Sequence, residues 1–432
     1  MQNDSIKAPV IVGLALFAMF FGAGNIIFPP YIGVVSGTSW PVSFFAYYLM
    51  DIGLAIVAIL AMIKSDTLDQ PESVMLRLGK WPSRILMFGI VYSLGFIAGP
   101  RTCAVSFELG VKPILGDNAN LAIYSTLFFL IAWMLTIRES KMIEIIGKWL
   151  TPTLVVGLLI VIGISIFSPL GEMRTTPQID NVWYMGLIAG YQTLDVPSAL
   201  VYAFVVSMAL ANAGFTTTES KVKGVMIASA VVGVLMFVIY GGLCYIGATA
   251  STIYGPDVQH GDLVVILFQK LLGVTGSGVL GILVLLACLT TAIALIGAPA
   301  TFLVRVSEGK LKYNYVVTLL CFAYALIANL GLSTILSIAI PIILALYPAT
   351  LVMVLLSLFN DKIENDNVFK TAAGFALIFS LLEALKSQGV EAANIIEIMP
   401  LQEHGFGWIL PGICGAAVGY FLKPSEPADQ AA

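Results

Sequence analysis

An all-α polytopic membrane protein is the fold class this sequence predicts, and three observations predict it. Hydrophobic residues make up 59% of the 432 positions and charged residues only 11%, against about a quarter charged in soluble domains. Apolar runs of the ~20 residues needed to cross ~30 Å of hydrocarbon recur along the whole chain, twelve of them. Two of these runs are interrupted where a spanning helix should be most regular: the first at Phe21-Gly22-Ala23-Gly24-Asn25, the sixth from Gly190 to Pro197. Backbone groups freed in hydrocarbon cost several kcal/mol each, so irregular backbone at this depth faces protein, water or a ligand. A broken first helix points to a transporter.

The twelve runs lie near 9–31, 39–63, 82–112, 118–137, 149–168, 183–210, 224–247, 276–303, 314–331, 333–358, 370–386 and 406–422. The segment Asp262 to Gly273 is apolar but short and carries Lys270, which suits an interfacial or re-entrant helix better than a span. Short cytoplasmic loops collect Lys and Arg. With the N-terminus inside, all but five of the 21 basic residues fall on the cytoplasmic side, the exceptions being Arg101, Lys112, Arg174, Lys270 and Lys386. Both termini are therefore expected to be cytoplasmic. The first run is too long for a signal peptide and is expected to be retained; the tail after Lys423 reads as disordered.

Several function classes are excluded by what the sequence lacks. The net charge of -4 is spread through loops, with no basic stripe for nucleic acid. The five cysteines lie singly inside apolar spans, so neither a disulfide framework nor a zinc site is expected. His260 and His404 stand alone in expected external loops, and no nucleophile–base pair or metal cluster lies at membrane depth, so an enzyme is not expected. A channel would need a polar stripe along several helices. Gly276-Ser-Gly278-Val-Leu-Gly281 spells GxGxxG, but it opens a membrane helix and lacks the preceding strand that a dinucleotide fold needs. No cofactor is expected.

Transporters are often built from inverted repeats whose first helices are broken around the ligand site. The second break falls in the sixth span, and a repeat of five spans is odd, which turns the second copy upside down. The expected division is residues 1–168 for spans 1–5, 169–360 for spans 6–10, and 361–432 for two accessory spans and the tail. It rests on hydropathy and the two breaks, since no clear residue-level identity links the halves.

Candidate site residues follow from the breaks. A helix that stops at mid-membrane leaves free carbonyls at a negative end, and the next half-helix offers free N–H groups at a positive end. Carbonyls near Ala18 and Phe21 would suit a small cation, and the N–H groups after Gly22, Ala23 and Gly24 a carboxylate. Small residues at this spacing also allow close helix packing, but packing does not explain Asn25 followed by Pro29-Pro30. In the eighth span Ala287, Thr290 and Thr291 share a helical face. That face offers hard oxygens for a cation, or hydroxyls that simply bond the i-4 carbonyl.

Asp195 is an intramembrane carboxylate, which needs a partner or a function. It would face a substrate amine, or cap the half-helix opened by Pro197; Thr193 could add a hydroxyl to the same cavity. Arg101 follows Gly99-Pro100 in the third span, with Glu108 two turns on and Asp51 in the second span. It belongs to an internal ion pair, or it gates the outer vestibule or meets a carboxylate. Glu383 has no evident partner.

FFGAGNIIFPP in span one, GPRT and VSFE in span three, GYQTLD in span six and ACLTTAIAL in span eight resemble the bacterial branched-chain amino acid:cation symporters, the LIVCS family. The resemblance covers essentially the whole chain. It implies uptake of leucine, isoleucine and valine coupled to sodium, in the bacterial cytoplasmic membrane, on a LeuT-like five-plus-five inverted repeat. GAGN and ACLTTA align without a gap with the GLGN and AGLTSS of LeuT-type proteins. By that likeness the carbonyls of Ala18, Phe21 and Ala287 and the hydroxyls of Thr290 and Thr291 would hold sodium, and Asn25 and Thr193 fall where some members bind a second one. The substrate cavity would be lined by Gly22, Ala23, Gly24, Asn25, Thr193, Leu194, Asp195 and Ser198. The chain departs from the pattern at Phe28, which stands where LeuT-type proteins carry a gating Arg, leaving Arg101 as a candidate gate. The rival expectation is a proton-coupled amino acid permease with Asp195 as carrier. No obligate protein partner is evident.

Overall fold

The computed structural model describes residues 6–64, 68, 73–138, 143–193, 195–402 and 405–423. Leu194, Lys141, His404 and the tail from 424 lie outside them. Every regular element among the described residues is helical: α1 (Lys7–Phe20), α2 (Ala23–Ser36), α3 (Trp40–Tyr48), α4 (Leu54–Lys64), α5 (Lys80–Ser93), α6 (Gly99–Ser106), α7 (Lys112–Leu115), α8 (Leu121–Thr136), α9 (Thr151–Phe167), α10 (Val182–Tyr191), α11 (Asp195–Asn212), α12 (Thr218–Ala248), α13 (His260–Leu272), α14 (Gly276–Val306), α15 (Tyr313–Ala328), α16 (Leu332–Ser357), α17 (Asp366–Ser387) and α18 (Ile409–Phe421). Among the described residues, seven helical runs are long and apolar enough to cross a membrane, from Gly24–Lys64 to Asp366–Ser387, and shorter apolar helices such as Lys7–Phe20 and Tyr313–Ala328 accompany them. The chain is a multi-pass membrane protein.

Local chemistry sets the helix ends. Asn120 caps α8 by accepting from the N–H groups of Ala122 and Ile123, Asn181 caps α10 through Tyr184, and Thr217 caps α12 through Ser220. These side chains satisfy donors that the first helical turn leaves without partners. The short apolar segment opened by His260 forms α13 and passes through the turn Gly273–Thr275 into α14. The GxGxxG glycines lie in the first turns of α14, a helix start with no strand before it.

The chain divides into two compact units. The first comprises Met1–Leu54, Ala98–Asp195 and Val205–Ile335. At its centre is α14, whose residues from Ala287 to Phe302 are all buried; a helix apolar all round belongs in a core. Here α1 and α2 both pack on α12, α3 packs on α10, and α6 packs on α14. Glycine permits the closest of these approaches. A Cβ on Gly247 of α12 would collide with the Pro30 carbonyl of α2, and one on Gly33 would stand 2.7 Å from the Ala248 nitrogen, the small-residue contact by which membrane helices gain packing energy.

The second unit comprises Ala55–Ile97, Val196–Phe204 and Leu336–Ala432. Its α17 and α18 pack through Gly415 and Gly419 against Thr371, whose Oγ1 donates to the Gly415 carbonyl at 2.6 Å. Arg77 ties the connection before α5 to the start of α17. Its guanidinium donates to Asp366 at 2.5 Å, to Asn360 at 3.0 Å and to the carbonyls of Ile363 and Glu364, and lies 4.1 Å from the Phe369 ring centre. Five fixed donors make arginine suited to such a hub.

Gly247→Val tests the α2–α12 contact. Overpacking of a tight core costs about 1–3 kcal/mol, so the thermal midpoint of the purified protein in detergent should fall; an unchanged midpoint would contradict the close approach.

Candidate substrate and cation site

The backbone at the end of α1 determines the first group of site residues. The Phe21 N–H still donates to the Phe17 carbonyl at 2.7 Å, as in a helix, but the Gly22 N–H turns to Phe20 at 2.8 Å. In a continuing helix that N–H would serve Ala18. The Ala18 carbonyl is thereby released, and two hydroxyls from α14 meet it: Thr290 Oγ1 at 3.0 Å and Thr291 Oγ1 at 3.2 Å. Thr290 Oγ1 also stands 2.9 Å from the Ala287 carbonyl and 3.0 Å from Leu286. A hydroxyl has one hydrogen, so it cannot serve three carbonyls at once. The cluster is rich in oxygen and poor in hydrogen, the composition that favours a hard cation. Ala18, Phe21, Ala287 and Thr290 are fully buried, and Thr291 nearly so. Gly22 is needed here: a Cβ would stand 3.1 Å from Thr291 Oγ1. Phe21 places its ring between Phe17 and Tyr240, at 5.2 and 6.1 Å.

A second group gathers around Asn25, in the first turn of α2. Its Oδ1 accepts from the Gly22 N–H at 3.3 Å, while its Nδ2 faces Asp195 Oδ2 at 3.4 Å, Asp51 Oδ2 at 3.5 Å and the Tyr240 hydroxyl. Thr193 Oγ1 stands 2.9 Å from Asp51 Oδ1 and 2.6 Å from the Gly190 carbonyl. Asp51 sits in the π-helical turn Leu49–Gly53 between α3 and α4, a kind of bulge frequent at functional sites, and is 1% exposed. Gly190 lets α10 come close enough for this, because a Cβ there would stand 3.1 Å from the Asp51 nitrogen. Asp195 is the first residue of α11. Thus Asn25, Thr193 and Asp195 come together, and the residue that joins them, Asp51, carries no site role in the sequence reading. As an intramembrane carboxylate it was visible there; its proximity to Asp195 was not.

The remaining candidates divide. Arg101 lies beside the first turn of α2, its Nη2 3.6 Å from where a Gly24 Cβ would stand, next to the Phe28 ring. Glu108 pairs with Lys112 at 2.8 Å rather than with Arg101. The His260 ring meets Phe28 edge-on and Tyr31 at a tilt, at 5.9 and 3.8 Å between ring centres, so that histidine is in contact with α2. Ser198 is buried in the first turn of α11. Glu383 accepts from the Gly407 N–H at 3.2 Å, a backbone partner no residue pattern announces. A separate cavity of about 340 Å³ lies beside α1, lined by residues including Ile11, Val12, Glu144, Lys148, Met208 and Thr301, none of them a predicted site residue.

A family model described as "Branched-chain amino acid transport protein" matches residues 5–426. The chain belongs to that family. Among its relatives is the branched-chain amino acid permease BrnQ of Bacillus subtilis, 32% identical over 435 residues, with 96% of each chain covered. The branched-chain amino acid transport system 2 carrier protein of Pseudomonas aeruginosa is 31% identical over 93% of this chain and 92% of its own. These are permeases and carriers, so the family is one of transporters and not of enzymes. In fold, the chain is similar to a Na+-coupled sialic acid symporter, with a TM-score of 0.58 at 12% identity, covering 97% of this chain and 91% of that one. The neighbouring folds are LeuT-like transporters.

Asn25→Ala would leave Asp51, Asp195 and the Tyr240 hydroxyl without their shared partner, while the Gly22 N–H keeps the Phe20 carbonyl. Stranded buried polar groups cost about 1–3 kcal/mol. The expected result is a lower thermal midpoint in detergent; stability equal to the parent protein would show that the amide does not join these elements.

Proposed function

We propose that the protein imports leucine, isoleucine or valine together with sodium by alternating access, from the bacterial cytoplasmic membrane with both termini in the cytoplasm. The observation that carries the reading is the Ala18 carbonyl, turned out of its helix and met by the hydroxyls of Thr290 and Thr291. In this reading Ala18, Phe21, Ala287, Thr290 and Thr291 hold the sodium. The N–H groups at the start of α2, from Gly22 to Asn25, receive the substrate carboxylate, and Asp195 with Thr193 receives the amine. Twelve spans make up the chain, spans 1–5 and 6–10 as inverted repeats broken in their first helices. The names of the relatives support the substrate class.

The energetics suffice. Each charge moved down a ~100 mV potential releases ~2.3 kcal/mol, enough for about a 50-fold solute gradient. Sodium held near the substrate carboxylate couples the two, since each lowers the cost of burying the other.

Radiolabelled leucine uptake into proteoliposomes, with and without a sodium gradient and with unlabelled valine, isoleucine and alanine as competitors, tests the reading. Uptake should follow the sodium gradient and yield to valine and isoleucine more than to alanine. Thr290→Ala with Thr291→Ala should raise the sodium needed for half-activation about tenfold or more, ~1.4 kcal/mol. Normal sodium activation in that variant would defeat the cation assignment.

A further inference from the structure

Arg101 is an arginine at membrane depth without a counter-charge. It lies near the middle of the helical run Lys80–Asn118, and among the described residues its guanidinium makes no hydrogen bond or ion pair. Glu108, the acid on its own run, is held by Lys112, while Asp51 and Asp195 face the Asn25 amide. Among the described residues, the only titratable side chain close enough to act on Arg101 is Cys288 of α14, an uncharged thiol. A lysine or a carboxyl group left in this way loses or gains a proton and becomes neutral. A guanidinium keeps its charge. An unpaired charge within a membrane span is costly and turns to a partner or a cavity, and the partner that is missing is an anion.

The surroundings of the guanidinium leave room for one. Every other residue of α6 is buried, and Arg101 alone keeps part of its surface open. Gly24 and Phe28 of α2 are likewise only half-buried. The three converge: the point where a Gly24 Cβ would stand is 3.6 Å from Arg101 Nη2 and 3.5 Å from the Phe28 ring. A small space thus opens before the guanidinium, walled on one side by an aromatic ring. Because residue 24 has no side chain, that space reaches the backbone of α2, whose first-turn N–H groups have no acceptor within the helix. The planar fork of an arginine takes two oxygens of one carboxylate side by side. A halide, with one centre, leaves part of the fork unused.

We propose that Arg101 is the specificity residue for the carboxylate of the transported solute, gripping it from α6 while the first turn of α2 holds its other side. This rests on the reading of the solute as a branched-chain amino acid and deepens it, by making a free carboxylate obligatory. An amide, ester or amine carrying the same aliphatic chain is refused. A neutral group in that place leaves the guanidinium buried without a counter-charge, so the discrimination comes from the penalty on the wrong ligand as well as from attraction to the right one.

Calorimetric titration of the purified full-length protein in detergent, with sodium present, reads this without transport. The parent should bind leucine, and isocaproate, which is leucine without its ammonium, in preference to leucinamide. Arg101→Gln should weaken leucine and isocaproate about tenfold to a hundredfold and leave leucinamide as it was; Arg101→Lys, which keeps the charge without the fork, should fall between. Gly24→Ala keeps the test available if the Arg101 variants do not fold. Its Cβ would meet only ordinary contacts yet stand before Nη2, so leucine should weaken severalfold at an unchanged thermal midpoint. Equal affinity of the parent for leucine and leucinamide overturns the proposal, as does an equal loss of both in Arg101→Gln, the result expected of a purely structural arginine. Leucine binding untouched by Gly24→Ala, or a site filled by chloride and by no carboxylate, overturns it too. If leucine fails to bind while isocaproate binds through Arg101, the leucine reading fails and the carboxylate site stands.

Discussion

The structure of the site depends on one hydrogen bond that is not made, the one between the Gly22 N–H and the Ala18 carbonyl. In an ordinary helix that pair would close and the first apolar run would cross the membrane without feature. Gly22 instead adopts extended backbone, with φ -105° and ψ -161°, and its N–H is taken by Phe20 and by the Asn25 side chain. A carbonyl released at this depth costs several kcal/mol unless something meets it. What meets it is α14, and this requirement explains why α14 is buried over its central turns and why two adjacent hydroxyls lie on the face turned toward α1. The oxygen-rich cluster at Ala18 follows from satisfying the backbone.

The same side chain that stabilises the end of one half-helix reaches the other break. Asn25 accepts from Gly22 and donates toward Asp51, Asp195 and Tyr240, so the position of α2 and the charge of the carboxyl pair act on one amide. A change at either end is felt at the other through a short, buried path of hydrogen bonds, which is the physical form that coupling between sites needs. Gly190, Gly33 and Gly247 allow the backbones to come close enough for so short a path.

Much of this was legible in the sequence because the signals were local. Hydropathy gave the membrane class, and the glycines at 22 and 24 with Asn25 marked the first interruption from composition alone. Thr290 and Thr291 could be placed on one face by helical spacing, and the motifs FFGAGN and ACLTTA pointed to the family to which the chain belongs. What was not legible depended on distance in sequence. Asp51 and Asp195 are separated by more than a hundred residues, and neither spacing nor hydropathy says that a π-helical turn aims one at the other. Of the two readings left open for Arg101, an internal ion pair or a gate, spacing could not choose; Glu108, one possible partner, pairs with Lys112 one helical turn on. Glu383 found a backbone N–H, a partner that side-chain patterns do not advertise.

Arg101 then acquires a different weight. Its guanidinium lies against the first turn of α2, where helical N–H groups point outward and the end of the helix is positive. A cation placed there opposes that field, and only an anion between them reverses the sign of the interaction. In the proposed reading, an amino acid would bring its carboxylate to the half-helix start and its ammonium to the carboxyls beside Asn25. At the first turn of α2, Arg101 lies by Gly24 and Asp51 and Asp195 lie by the Asn25 side chain, so that in the reading proposed above charges of both signs would meet a zwitterion. A neutral solute or a simple ion would satisfy one pole and leave the other uncompensated in a dry site, where the penalty is largest. In the proposed reading that electrostatic argument favours amino acids as a class, and it leaves the choice among their side chains to the apolar walls around the breaks.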